Sequence, residues 1–217
     1  MRVDTGMGDP EVATTSPIDF YFDPGCPWTW ATSRWLVEAA RQRGTEIVWR
    51  SLSLAMLNAG REVPEQYIKL MEVTAQAHRV FAALGEDGRN DLLGAVYTEY
   101  GRRVHHDGET PTADLVREIV VDAGAGDYLD ALGEQRWDAS VEASTNEAVA
   151  LAGPDVGSPV LAFGTPRFGV FGPIVSPPPT GDDALRLLDL VLASADVPGF
   201  FEVKRGRDEE PAFGPRP

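Results

Sequence analysis

Between Pro64 and Gly153 about ninety residues carry helical periodicity and no convincing strand, while strand patterns stand on both sides of that block. The order is therefore strands, an all-helical stretch, then strands again. On the N-terminal side, Ile18, Phe20 and Phe22 alternate with Asp19 and Tyr21, the period of a strand. The turn Asp23-Pro24-Gly25 follows, with a φ-fixing Pro and a permissive Gly. Pro27 to Gln42 reads as a helix. Pro27 suits its first turn, where a missing N–H costs nothing; Trp28, Thr32, Trp35 and Ala39 share one face, and Gly44 ends it. Ile47 to Leu52, rich in β-branched and aromatic residues, completes a βαβ unit. On the far side of the block, Val160–Phe163 and Arg167–Phe171 are short apolar runs, and Asp182 to Ala195 is a closing helix with Ala184, Leu187, Leu188, Val191 and Ala195 on one stripe.

Inside the block, Tyr67, Met71, Thr74, His78 and Phe81 form one stripe and Leu93, Val96, Tyr97, Tyr100 and Val104 another. Thr110-Pro111 suits the N-cap and first position of a third helix that runs to Gly124, and Asp127 to Ala152 supplies one or two more. The expected class is α/β: βαβ, a helical insertion, then ββα. Hydrophobic residues make up 43%, enough for a core. Residues 1–16 and 204–217 are polar, charged and Pro-rich, and read as a flexible leader and an extended tail.

Charge narrows the partners. With 34 acids against 19 Lys and Arg, the formal charge is −15, which disfavours nucleic acid and anionic membrane surfaces. No stretch has the length of a membrane span, and Met1 to Pro17 lacks the apolar run of an export signal, so the cytoplasm is the expected compartment. Cys26 is the chain's single cysteine, which excludes an internal disulfide and a Cys-rich zinc site. No H-E-x-x-H, P-loop, dinucleotide fingerprint or G-x-S-x-G elbow occurs, so neither a metal nor a bound cofactor is expected.

The lone cysteine stands where reactivity is expected. Cys26-Pro27-Trp28-Thr29 follows a strand and opens a helix, and the free N–H groups and dipole of a helix start favour an anion. The thiolate is the nucleophile, so this position predicts a thiol that ionises more easily than a free Cys. Thr29, one turn on, offers a hydroxyl to the sulfur. A buried structural Cys is the competing reading, but such residues lie within apolar stripes, whereas Cys26 lies between Gly25 and Pro27. Ser158-Pro159 precedes the third strand, where a Pro is admissible because it lacks a ladder donor. His78, on an apolar stripe, reads as a core histidine; Arg34 reads as a solvated helix residue, with anion binding as the alternative. Tyr67 reads equally as stripe packing or as a ligand's hydrogen-bond partner.

In order along the chain, DFYFDPGCPWTWATSRWL, SLSLAMLN, PEQY, RRVHHDG, VGSPV, FGPIVS and FFEVKR resemble the actinobacterial mycothiol-dependent nitroreductase family, within the DsbA-like branch of the thioredoxin superfamily. The resemblance runs from about residue 18 to residue 213. Kappa-class glutathione transferases and chromene-carboxylate isomerases are similar but more distant. The resemblance implies a thioredoxin-like domain from residues 17–63 and 153–203, with the helical insertion, 64–152, closing over the thiol. It implies Cys26 as nucleophile, a cis Pro159 and mycothiol, a low-molecular-weight thiol, as cosubstrate. It also implies a pocket bordered by Pro27, Trp28 and Ser158, with Asn58, Tyr67 and His105 as further candidates. The better-known members carry C-P-W-C, and here Thr29 replaces the second Cys. Release of product through an internal disulfide is thereby closed. A monothiol route remains, in which Cys26 exchanges with a small-molecule thiol or a thiolated protein. So do a kappa-type transferase or isomerase, in which a bound thiol is the nucleophile, and a non-catalytic binding module. Both a monomer and a homodimer are compatible with the sequence.

Overall fold

The four strands lie in the order β2-β1-β3-β4. β1 (Ile18–Phe22) and β2 (Ile47–Ser51) run parallel, joined by α1 (Pro27–Arg43). β3 (Val160–Phe163) is antiparallel to β1, and β4 (Phe168–Phe171) is antiparallel to β3. The closing helix α7 (Gly181–Ser194) packs on α1, where the Trp35 indole N–H donates to the Ala184 carbonyl at 3.0 Å. The computed structural model describes residues 16–217, so the expected leader lies outside the described residues but for Ser16.

The sheet is covered on both faces. Ile18, Phe20, Phe22, Leu161 and Phe163 enter one core cluster with Trp30, Trp35 and Leu188. Tyr21, Val160 and Ala162 point the other way and meet Ala148 and Leu151. The alternation along β1 thus separates two buried faces rather than a buried one from a wet one.

Between β2 and β3 come α2 (Leu54–Leu57), α3 (Glu65–Glu86), α4 (Asn90–Gly101), a π-helical turn (Arg102–His106), α5 (Ala113–Asp122), two 3₁₀ segments (Gly126–Gly133 and Gln135–Trp137) and α6 (Asp138–Ala152). The short α2 has no counterpart in the periodicity. The N-cap of α5 is Thr112 rather than Thr110: its hydroxyl accepts the Leu115 N–H at 3.1 Å, so the helix opens after Pro111 instead of at it. Among the described residues no helix is long and apolar enough to cross a membrane.

The tail from Lys204 has no regular secondary structure, yet it is not free. Phe213 packs against the rings of His105 and His106, and Arg216 makes a two-point ion pair with Asp107 at 2.8 and 2.7 Å. The tail read as extended from its sequence is held against the rest of the chain by this one apolar side chain and the charges around it.

Candidate active site

The site begins where β1 ends. Asp23 is 2% exposed, and its carboxylate accepts the N–H of Gly25 at 2.8 Å and the N–H of Leu54 at 2.8 Å. The first bond shapes the turn that delivers Cys26; the second ties that turn to the start of α2. His78 Nε2, on α3, faces the same carboxylate at 3.4 Å. The core histidine expected from its stripe is thus buried, and it touches the underside of the active-site turn. Gly25 is needed here, because a Cβ would come within 2.9 Å of Thr74 on α3.

Cys26 caps α1 in an extended conformation, and its N–H donates to the Asp23 carbonyl at 3.2 Å. Across the gap lies Ser158, whose bond to Pro159 is cis. The Cys26 thiol donates to the Ser158 carbonyl at 3.9 Å. The Ser158 hydroxyl accepts the Asp23 N–H at 2.9 Å and a bond from Thr29 Oγ1 at 2.8 Å. Thr29 is therefore shared rather than committed to the sulfur. A hydroxyl can donate or accept by rotating its hydrogen, so the pair can reverse, with Ser158 donating to Thr29 and Thr29 to a sulfur anion.

The resting sulfur is not the activated thiolate that the helix start suggests. Burial pushes the Cys26 thiol above its ordinary range, and the nearby Asp23 carboxylate adds to the push. The Thr29 hydroxyl and the N–H groups of Thr29 and Trp28 pull the other way without cancelling it. Position at a helix start is visible in a sequence; the burial of the sulfur is not.

The remaining candidates divide. Pro27 and Trp28 lie half-buried beside the sulfur. His105, in the π-helical turn, donates from Nε2 to the Pro24 carbonyl at 2.9 Å and so fastens the active-site turn to the insertion. The Asn58 side-chain amide is spent on the Leu54 carbonyl at 2.8 Å, and Tyr67 is 48% exposed near the start of α3; no contact joins either to the sulfur. Arg34 corrects its solvated reading. Its guanidinium lies 4.0 Å from the centre of the Trp30 ring, and burial lowers its pKa to about 10. Asp23 was legible only as a turn residue, although Asp two positions before Gly is the signature of a side chain folding onto its own backbone. Two grooves, of about 570 and 240 Å³, open around Trp49, and neither includes the Cys26 turn.

His105 carries a pH prediction. Burial lowers its pKa from 6.5 to about 4, so the folded chain holds it neutral while an unfolded chain protonates it near 6.5. Its contribution is fully present above that value and is lost as pH falls towards 4, on the order of 2–3 kcal/mol. Urea melts between pH 7 and pH 4.5 should show a smaller acid loss in His105→Gln, which keeps a donor and does not titrate. Equal losses in both chains would contradict the assignment.

A family model described as mycothiol-dependent nitroreductase Rv2466c matches residues 25–205. A protein of Mycobacterium tuberculosis described as uncharacterized, Rv2286c, is 31% identical over 198 residues, covering 87% of this chain and 81% of its own. Among solved structures, a probable DsbA oxidoreductase, SCO1869 from Streptomyces coelicolor, superposes with a TM-score of 0.53 at 18% identity, over 90% of this chain and 95% of that one. The cytosolic disulfide reductase DsbM from Pseudomonas aeruginosa, with GSH, gives 0.51 at 16% identity, over 81% and 98%. These two likenesses establish the fold: a DsbA-like, thioredoxin-type α/β arrangement with a helical insertion.

Proposed function

Since the chain belongs to the Rv2466c-like, mycothiol-dependent nitroreductase family, we propose that Cys26 carries its thiol chemistry by a monothiol route, with mycothiol as cosubstrate and the cytoplasm as compartment. The broader statement, a thiol-dependent oxidoreductase, follows from the family itself. The observation that carries the finer reading is the single sulfur at the start of α1, opposite the Ser158 carbonyl, with Thr29 where dithiol relatives place a second thiol.

The steps balance with small thiols alone. Cys26 loses its proton to solvent, and its sulfur attacks the mycothiol sulfur of a mixed disulfide. A Cys26–mycothiol disulfide forms, and the substrate leaves as a thiol with a proton from solvent. A second mycothiol then attacks the mycothiol sulfur of that adduct, releasing mycothiol disulfide and regenerating the Cys26 thiol. Per cycle, one mycothiol is consumed and one substrate thiol is released, and the disulfide bond passes from the mixed disulfide to mycothiol disulfide. Trp28 and Pro27 border the incoming disulfide in this reading, and the Ser158 carbonyl marks where its backbone or amide groups lie.

The test is turnover of a mycothiolated protein or mixed disulfide in the presence of mycothiol, followed as mycothiol disulfide formed. Catalysis above the uncatalysed exchange rate supports the proposal, and ligand binding without turnover would leave a binding module. Thr29→Cys adds a structural check. Its sulfur would stand one helical turn from Cys26, and mild oxidation should give an internal disulfide, seen as a mass lower by two hydrogens and loss of both free thiols. The lost Thr29–Ser158 bond should cost about 1 kcal/mol in the reduced form. Two thiols that stay free after oxidation would contradict the placement of residue 29.

A further inference from the structure

Residues 204–217 cross the molecule on the side of the thiol. Beginning ten residues past the end of α7, this segment sets the Arg207 guanidinium 4.7 Å from the centre of the Trp28 ring, two positions from Cys26. The Ala212 N–H then donates to the Ser176 hydroxyl at 2.7 Å. Phe213 follows, its ring 5.8 Å from His105 and 5.5 Å from His106, and Arg216 ends on Asp107. The segment thus runs from Trp28 at the start of α1 to the π-helical turn of the insertion. His105, beneath Phe213, is also the residue that holds the Pro24 carbonyl of the active-site turn.

The anchors are few and wet. Lys204 to Glu210 are all exposed, and beyond them only Pro211 and Phe213 are half-buried. The Arg216–Asp107 pair is exposed on both sides, where an ion pair contributes little. Nor does the segment satisfy what it covers. His106 Nε2 is buried without a hydrogen-bond partner between Trp30 of the core and Phe213 of the segment, and the segment's contribution there is a phenyl, which cannot supply one.

We infer that residues 204–217 form a strap across Trp28 and the π-helical turn, next to Cys26, and that a disulfide substrate reaches Trp28 and the sulfur only when the strap lifts. A substrate that places a hydrogen-bonding group at His106 gains a bond that the strap forgoes, which favours exchange of one for the other. The inference rests on Cys26 as the reacting sulfur, but its test does not depend on turnover.

Alkylation of Cys26 by iodoacetamide at fixed pH measures access directly. Arg207→Ala and Arg216→Gln release the strap at opposite ends, and each should speed alkylation by about three- to tenfold with an unchanged melting temperature. Removing the Arg207 cation would by itself disfavour the thiolate and slow alkylation, so acceleration there cannot arise from charge. Arg216 pairs with Asp107 at the other end of the segment from Arg207 and Trp28, so acceleration in Arg216→Gln requires the segment to move as one. Acceleration in Arg207→Ala alone would mean local shielding and would overturn the strap, as would unchanged or slower alkylation in both. With the mixed-disulfide substrate, KM should fall in both variants while kcat stays constant. Faster alkylation in a chain that reduces no disulfide would sink the proposed reaction and leave the strap standing.

Discussion

Cys26→Ser should lower thiol–disulfide turnover by at least about a thousandfold, into the range seen when a nucleophile is removed, while the fold persists. A serine oxygen cannot form the disulfide intermediate, and no second cysteine exists to stand in. The structural cost is small because a serine hydroxyl fits in place of the thiol, the bond that the thiol donates to the Ser158 carbonyl is long at 3.9 Å, and the Asp23–Cys26 backbone bond does not involve the side chain. Melting temperature should stay within a few degrees. The same variant separates the enzyme classes. A transferase that activates a bound thiol through hydroxyl groups would keep its conjugating activity with serine at position 26, since Thr29 and Ser158 remain. Undiminished conjugation of a thiol to an electrophilic aromatic would therefore redirect the assignment from exchange to transfer.

Asp23→Ala should destabilise the chain by roughly 3–5 kcal/mol, because three donors, two half-buried and one fully buried, lose their acceptor at once. These are the N–H groups of Gly25 and Leu54 and the Nε2 of His78, belonging to the active-site turn, α2 and α3. Against a total stability of about 5–15 kcal/mol this is a large fraction, and the melting temperature should fall by roughly 10 °C or more. Asp23→Asn keeps the shape and one acceptor but turns an amide N–H towards Leu54 or His78, so it should fall between the two. A melting temperature of Asp23→Ala within about two degrees of the parent would mean that the carboxylate does not hold these three segments together.

What could be read from the sequence is what depends on near neighbours. Ile18, Phe20 and Phe22 announce β1 by their spacing, Pro27 and Gly44 bracket α1, and Val160 to Phe163 form β3 with the expected bounds. Where the structure departs from the local pattern, distant residues decide the outcome. Val104 continues the apolar stripe of α4 at helical spacing, yet the backbone widens into a π turn at Arg102, which brings His105 to Pro24. Thr110 and Thr112 both suit a cap, and only the latter's hydroxyl meets a free amide. Asp23 looks like a turn residue because its partners, Leu54, His78 and Ser158, lie 31, 55 and 135 positions away. The charge and prolines after Lys204 hide a single Phe that packs on His105 and His106. For the sulfur itself, the helix start was legible and the burial that outweighs it was not.

Mass spectrometry of the intact chain after brief exposure to mycothiol disulfide tests the central claim most directly. One mycothiol adduct on Cys26 is expected, removed by excess reduced mycothiol and absent from Cys26→Ser. A chain that takes up no adduct where free thiols do, or one whose adduct mycothiol cannot remove, would contradict a monothiol cycle at this sulfur.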